Sequence, residues 1–191
     1  MLFLPTELPE VLVLEQERQA DERGHFARTW CSAELSARGL EPVFAQCSVS
    51  FNHRRGTLRG LHYQAPPSAE VKVVRCARGA LWDVALDLRP GSNAFGRWVG
   101  VELTPDNGRS LYIPRGFAHG FYTLADATEV EYLISTPYAP ATARGVRFDD
   151  GRFGIVWPGP VAVISGRDAG YPDSTPTQFE ELRVLTGGAA P

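Results

Sequence analysis

The strongest constraint on the fold is a two-residue alternation of apolar and polar side chains in short segments. In 81–89, one set of alternating positions is apolar (Trp82, Val84, Leu86, Leu88) and the other is polar (Asp83, Asp87, Arg89). Successive side chains of a strand point to opposite faces, so this pattern predicts a strand with one buried and one polar face. The same reading predicts strands at 99–103, 110–113, 120–124, 129–135 and 161–165.

Turn residues punctuate these segments along the whole chain. The 19 glycines and 15 prolines are spread out, with turn clusters at 90–93, 105–108 and 149–151. Short strands with a turn roughly every 8–12 residues predict an all-β sandwich, jelly roll or barrel. We expect one domain over residues 1–191, with short peripheral helices at 33–38, capped by Ser32, and at 178–185, and a frayed tail at 187–191. No βαβ alternation, GxGxxG or P-loop pattern supports a doubly wound nucleotide fold.

The charge pattern limits the possible partners. A net charge of −3 and a pI of about 5.8 give no basic surface for nucleic acid or an anionic membrane. No apolar run is long enough to span a bilayer, and the first residues lack a signal-peptide pattern. Three cysteines without a CxxC pair are expected to be small buried thiols. We therefore expect a cytoplasmic protein.

Four histidines are candidates for chemistry: His25, His53, His62 and His119. No two of them stand two residues apart, as metal-binding cupin barrels often require, so we expect no metal site. His62 lies in a glycine-containing segment, 56–64, and His119 in 111–121. Taken alone, both also fit hydrogen-bonded structural histidines, Tyr132 fits a core tyrosine, and Asp168 fits a turn residue.

The ordered set of motifs is more specific than any of them singly. It comprises residues 21–26, 56–64, 72–75, 79–89, 112–121, Tyr132, 157–158 and 165–168. In this order, over residues 5–172, the chain resembles the dTDP-4-dehydrorhamnose 3,5-epimerase family. The resemblance implies a cupin-type jelly-roll β-barrel that works as a homodimer on a dTDP-sugar, without metal or organic cofactor.

The resemblance also implies catalytic roles. His62 is the general base, Asp168 is its carboxylate partner, and Tyr132 is the acid on the opposite face of the sugar. The hydrogens at C3 and C5 of a 4-keto sugar are acidified by the carbonyl, so a base of pKa near neutrality suits the reaction. The enolate needs a nearby positive charge, for which Lys72 is the candidate.

Substrate-binding positions follow from the same resemblance. Arg23, Arg59 and His119 match positions near the pyrophosphate. Phe26 and Tyr138 match positions that flank the thymine, and Gln46 matches a polar position near the nucleoside. Arg59 and His62 have opposite strand parity, which a bulge at Gly60 reconciles unless Arg59 serves the partner subunit.

The chain departs from the family pattern mainly near the nucleotide. Arg28 and Ala143 stand where the family usually has glutamate, Ser48 where it has asparagine, and Leu133 where it often has lysine. Inversion of both centres or of only one therefore stays open. The alternatives are a 3,4-ketoisomerase of the same fold and a non-enzymatic or metal-binding cupin.

Overall fold

The structure is a computed structural model that describes residues 1–175 and 177–186. Within these residues, strands dominate and helices are short. The strands are β1 (Leu2–Pro5), β2 (Leu12–Glu15), β3 (Gln19–Asp21), β4 (Gly24–Phe26), β5 (Gln46–Asn52), β6 (Leu58–Gln64), β7 (Lys72–Arg78), β8 (Leu81–Asp87), β9 (Trp98–Leu103), β10 (Arg109–Ile113), β11 (Phe117–Thr123), β12 (Thr128–Ile134) and β13 (Ala143–Gly145). The helices are α1 (Ser32–Ser36), α2 (Gly166–Ala169) and a 3₁₀ helix, Glu180–Leu185.

Two antiparallel sheets face each other and form the predicted jelly roll. One has six strands in the order β1-β2-β10-β7-β12-β5, and the other has five in the order β13-β6-β11-β8-β9. Apolar side chains from both sheets, such as Val74, Leu111, Ala85 and Phe121, form one cluster between them. Each fully buried Leu or Phe contributes about 1.5–3 kcal/mol relative to an exposed one. Among the described residues, β3 and β4 form a two-stranded hairpin that joins neither sheet.

Strand β8 has the predicted alternation, but its polar face is not exposed. Val84 and Leu86 pack outward, beneath Phe179 and Leu182 of the C-terminal segment. The other face points into the space between the sheets, where Asp83 is 0 % exposed. The predicted alternation of one apolar and one polar face is therefore present, but both faces of this strand are covered by other parts of the protein.

Several local expectations need correction. Helix α1 is capped by Cys31 without a side-chain hydrogen bond, rather than by Ser32. The strand expected at 161–165 is instead an isolated bridge between Val163 and Thr57. The helix expected at 178–185 is a 3₁₀ helix that begins at Glu180. The tail at 187–191 lies outside the described residues.

The cysteines are free, but they are not all buried. Cys76 is buried, and burial raises the pKa of its thiol to about 11. Cys31 is half-buried and Cys47 is exposed. Cys47 points outward because it alternates with the inward-facing residues of β5.

A bulge in β6 brings Arg59 and His62 to the same face of the strand, although their positions in the sequence have opposite parity. His62 pairs with His119 and Arg59 pairs with Phe121, so β6 uses one residue more than β11 over this stretch. Both Arg59 and His62 consequently line the same cavity. Gly60 lies at the bulge with φ +123°, and an added Cβ would stand 2.5 Å from the Cα of Gly120 and 2.8 Å from the carbonyl oxygen of His119.

We expect Gly60→Ala to lower the free energy of unfolding by at least about 2 kcal/mol, because it adds backbone strain and a clash with the β11 main chain. Urea unfolding of the variant and the wild type measures this. Gly151→Ala is the control, since its Cβ meets nothing within 4 Å. Equal losses in the two variants would contradict the role of the bulge.

Candidate active site

A cavity of about 310 Å³ opens between the two sheets. Its walls come from β5, β7 and β12 on one side and from β6, β11 and β13 on the other. Seven of the ten predicted site residues line it: Gln46, Arg59, His62, Lys72, His119, Tyr132 and Tyr138. The fold therefore gathers in one place residues that are up to 92 positions apart in the chain.

His62 and Asp168 form a dyad on the five-stranded side. The Nε2 atom of His62 is 2.8 Å from Oδ1 of Asp168. The other carboxylate oxygen, Oδ2, accepts a hydrogen bond from the backbone N–H of Gly60 at 3.1 Å. The His62 side chain is 38 % exposed and the Asp168 side chain is 6 % exposed, so the ring reaches the cavity and the carboxylate stands behind it.

Helix α2 places Asp168 for this contact. Ser165 caps the helix, because its hydroxyl accepts a hydrogen bond from the Asp168 backbone N–H at 3.0 Å. Burial alone would raise the pKa of Asp168, but the bonds from His62 and Gly60 outweigh it and lower the pKa. Asp168 is therefore a stable carboxylate at neutral pH.

Tyr132 faces the cavity from the opposite sheet. It lies on β12 beside Ile134, and its ring meets that of His119 edge-on at 5.9 Å between centroids. Burial, and secondarily the charge of Asp83, raise the pKa of Tyr132 well above its usual range, although Arg59 opposes this. Its hydroxyl therefore keeps its proton at neutral pH.

His119, which lines the cavity, forms a second histidine–carboxylate pair with Asp83. Nε2 of His119 is 2.7 Å from Oδ1 of Asp83, and both side chains are almost fully buried. The other oxygen of Asp83, Oδ2, is buried without a hydrogen-bond partner among the described residues. Burial raises the pKa of Asp83 against the opposing effects of His119 and Lys72.

Lys72 is the only lysine in the 191-residue sequence. It begins β7 and is 8 % exposed. Its Nζ is 2.8 Å from Oε1 of Glu70 and donates to the carbonyl oxygen of His62 at 3.3 Å. The ammonium group thus extends from the six-stranded sheet to the strand of the opposite sheet that carries His62.

Arginines surround the outer part of the site. Arg59 is held by Asn52, whose Oδ1 accepts from Nε of Arg59 at 2.8 Å. Arg144 and Arg167 also line the cavity. Three guanidinium groups at one opening favour an anionic ligand such as a diphosphate.

The expected nucleoside contacts Gln46 and Tyr138 meet each other. Oε1 of Gln46 accepts from the backbone N–H of Tyr138 at 2.7 Å. The Tyr138 side chain is exposed and lines the cavity. A flat aromatic ring at the rim suits stacking against a base.

Arg23 and Phe26 do not line this cavity. Both lie on the β3–β4 hairpin, where the side chain of Arg23 is 84 % exposed and pairs with Asp21. Phe26 is 73 % exposed and borders a separate depression with Met1 and Arg28. Within one chain, the hairpin therefore does not bring its two predicted binding residues to the site.

Some cavity residues escaped sequence reasoning: Ser50, Gln64, Glu70, Arg144 and Arg167. The sequence did offer an indication for Arg167, because it directly precedes Asp168 in the motif at 165–168. Glu70 also had one, because it lies two residues before Lys72 and so on the same side of an extended chain. Asp83 was visible as a polar residue at an alternating position of β8.

Of the four residues that depart from the family pattern, two line the cavity and two lie outside it. Ser48 and Ala143 line the cavity, whereas Leu133 borders a depression on the outer face of β12. Arg28 lies outside the cavity lining and pairs with Glu34 of α1 at 2.8 Å. Small side chains at Ser48 and Ala143 thus shape the cavity itself.

The described residues contain neither a metal-binding cluster nor a membrane-spanning helix. Over 1–175 and 177–186, no group of three histidine, cysteine or acidic side chains is arranged to hold a metal. Over the same residues, no helix has the length and apolarity needed to cross a membrane.

Comparison with known proteins gives a consistent result. The family model for dTDP-4-dehydrorhamnose 3,5-epimerase matches residues 5–175. The dTDP-4-dehydrorhamnose 3,5-epimerase of Sinorhizobium fredii is 37 % identical over 187 residues, covering 96 % of each chain.

Solved structures agree. The dTDP-6-deoxy-D-glucose-3,5-epimerase of Legionella pneumophila, in complex with dTDP-4-keto-L-rhamnose, superimposes with a TM-score of 0.83 at 36 % identity, covering 87 % of this chain and 89 % of that one. A 3′-monoepimerase from Streptomyces bikiniensis in complex with dTDP-quinovose has a TM-score of 0.81 at 32 % identity, covering 96 % and 90 %.

The buried carboxylate of Asp83 predicts a pH-dependent effect on stability. Because its folded pKa is raised, its favourable contribution is complete below the unfolded pKa of about 4 and is lost as the pH rises through the folded pKa. We expect Asp83→Asn to be more stable than the wild type by about 1 kcal/mol at neutral pH, with a gain that shrinks toward pH 5. Urea unfolding at several pH values measures both. A variant that is no more stable than the wild type at neutral pH, or whose gain is the same at every pH, would contradict the assignment.

Proposed function

The chain belongs to the dTDP-4-dehydrorhamnose 3,5-epimerase family, and we propose that it inverts C3 and C5 of a dTDP-4-keto-6-deoxyhexose by proton transfer through an enolate. One observation carries the proposal. His62, backed by Asp168, and Tyr132 project into one cavity from opposing sheets. Inversion requires a base on one face of the sugar ring and an acid on the other, and this arrangement supplies both.

His62 is the proposed base. Asp168 occupies Nε2, which leaves Nδ1 as the ring nitrogen that accepts the substrate proton. The carboxylate fixes the orientation of the ring and stabilises the imidazolium that forms. Since Asp168 stays ionised at neutral pH, this stabilisation is present when the proton is taken.

Tyr132 is the proposed acid. Its raised pKa keeps the phenol protonated until the enolate forms, and the enolate carbon is a stronger base than the starting sugar. His62 takes a proton from one face and Tyr132 donates its own phenol proton to the other, which reverses the configuration. Exchange with solvent then removes the proton from His62 and restores one to Tyr132. Lys72 supplies the positive charge that stabilises the enolate oxygen.

The remaining cavity residues are proposed to bind the nucleotide. Arg59 and His119 contact the diphosphate, while Gln46 and Tyr138 hold the nucleoside at the rim. Ser48 and Ala143 line this cavity and differ from the residues usual in the family. They are the positions proposed to affect which sugar or nucleotide binds.

We further propose a cytoplasmic homodimer that needs no metal or organic cofactor. Strand β5 is an edge strand that pairs with β12 on one side and with no other described strand, and its outward side chains Val49 and Phe51 are exposed at 60 % and 42 %. Such an edge invites pairing with a second copy. The exposed β3–β4 hairpin then carries Arg23 and Phe26 to the partner's cavity. Three free thiols fit a reducing compartment.

The test of the function is the fate of two protons. The wild-type protein is incubated with dTDP-4-keto-6-deoxyglucose in deuterated water, and C3 and C5 are followed by NMR. Deuterium at both carbons supports the double epimerase, and deuterium at one supports a monoepimerase, as in the matched Streptomyces bikiniensis structure. Binding of the nucleotide without exchange at either carbon would favour the ketoisomerase. Absence of binding would contradict the proposal that the substrate is a dTDP-sugar.

Two substitutions separate the base from the acid. We expect His62→Ala to slow exchange at both carbons by roughly 10²- to 10⁴-fold while nucleotide binding persists. Tyr132→Phe should still exchange protons but lose inversion at one or both centres, because the base remains. Exchange kinetics and product configuration are read from the same spectra. Wild-type exchange in His62→Ala would remove His62 from the mechanism.

Mixed dimers test whether the hairpin acts across subunits. Arg23→Ala and His62→Ala should each be nearly inactive alone. After subunit exchange, a mixed dimer pairs an intact hairpin with an intact base at one of its two sites, so about a quarter of wild-type activity should return. If mixing restores nothing although the subunits exchange, Arg23 does not act in trans.

A further inference from the structure

Lys72 does not stand alone in the cavity wall. Oε1 of Glu70 is 2.8 Å from its Nζ, and both side chains are only 10 % exposed. An ammonium group on a flexible four-carbon chain has no preferred direction of its own. The contact with Glu70 and the weaker one with the His62 carbonyl oxygen therefore determine where the charge sits.

The second oxygen of Glu70 continues the network. Oε2 accepts a hydrogen bond from Nε2 of Gln64 at 2.7 Å. The same amide also approaches the carbonyl oxygens of Ser68 at 3.1 Å and Pro137 at 3.3 Å. Since the amide has only two hydrogens for these three acceptors, the short contact with the carboxylate is the best satisfied of them.

Gln64 connects this network to the rim of the site. Its Oε1 accepts from the backbone N–H of Ala139 at 2.6 Å. Ala139 follows Tyr138, the exposed aromatic residue proposed to contact the nucleobase of the substrate. A continuous path of contacts thus runs from the Tyr138 loop through Gln64 and Glu70 to the ammonium group of Lys72.

We infer that Glu70 is a positioning residue of the reaction: it aims Lys72 at the enolate oxygen and fixes the lysine to the loop that holds the nucleotide. This inference rests on the proposed function. A carboxylate is required, because Glu70 is flanked by two donors, Lys72 and Gln64, and accepts from both. A glutamine at this position has one acceptor oxygen, so its own N–H₂ faces one of those donors.

We expect Glu70→Gln to lower kcat for C3 and C5 exchange by roughly 10- to 100-fold, because the ammonium group moves away from the enolate oxygen. KM should change much less, since the arginines of the cavity are untouched. Glu70→Asp keeps the charge and should recover part of kcat. If Glu70→Gln does not fold, Glu70→Asp still decides the matter, with a smaller loss of kcat in the same direction.

A spectroscopic readout tests the contact without substrate. Because Lys72 is the only lysine, labelling with ¹³C-lysine gives one set of side-chain signals, all from this residue. The two Hε protons should have distinct shifts in the wild-type protein and converge to averaged shifts in Glu70→Gln. Glu15→Gln, which removes the partner of Arg109 at 3.0 Å outside the cavity, is the matched control and should leave both signal and kcat unchanged.

Two results would overturn the inference. One is a Glu70→Gln variant with wild-type kcat and an unchanged lysine signal. The other is a loss of kcat that Glu15→Gln reproduces, which would reflect general destabilisation. Absence of exchange at both carbons in the wild-type protein would contradict the proposed function instead. The lysine shifts would then still test whether Glu70 holds Lys72 in place.

Discussion

One carboxylate joins the fold of this protein to its chemistry. Asp168 accepts from the Gly60 backbone N–H with one oxygen and contacts the His62 ring with the other. Gly60 is the bulge that brings Arg59 and His62 to the same side of β6, and its N–H is buried with the carboxylate. The interaction that satisfies the irregular backbone is therefore the one that orients the proposed base, so the bulge and the dyad depend on each other.

Local pattern predicted much of the sheet, because alternation is a property of each strand by itself. The predicted segments at 81–89, 110–113 and 129–135 became strands β8, β10 and β12 within one or two residues. Alternation does not say which face meets water. In β8 the polar positions proved to be interior, because a jelly roll can line part of its interior with polar side chains when each has a partner, as Asp83 has His119.

The limits of prediction are clearest where partners are distant in sequence. A bulge at Gly60 was one of two explanations for the opposite strand parity of Arg59 and His62, which are only three positions apart, and the structure has that bulge. The Glu70–Gln64 contact needs the turn at 65–68 to bring two segments together, and no periodicity reports that. Arg23 and Phe26 lie on a hairpin that does not reach the cavity within one chain, and the alternation of apolar and polar residues does not indicate where such a hairpin packs.

The electrostatics of the cavity follow from where its carboxylates stand. Asp168 lies behind His62 and favours a positive charge on the ring, which assists a base. Asp83 lies near Tyr132 and disfavours a negative charge on the phenol, which preserves an acid. Glu70 lies beside Lys72 and holds a positive charge in place. Because each carboxylate is matched to a different group, the proposed base and the proposed acid lie on opposite sheets, each already in the charge state that its proposed role requires.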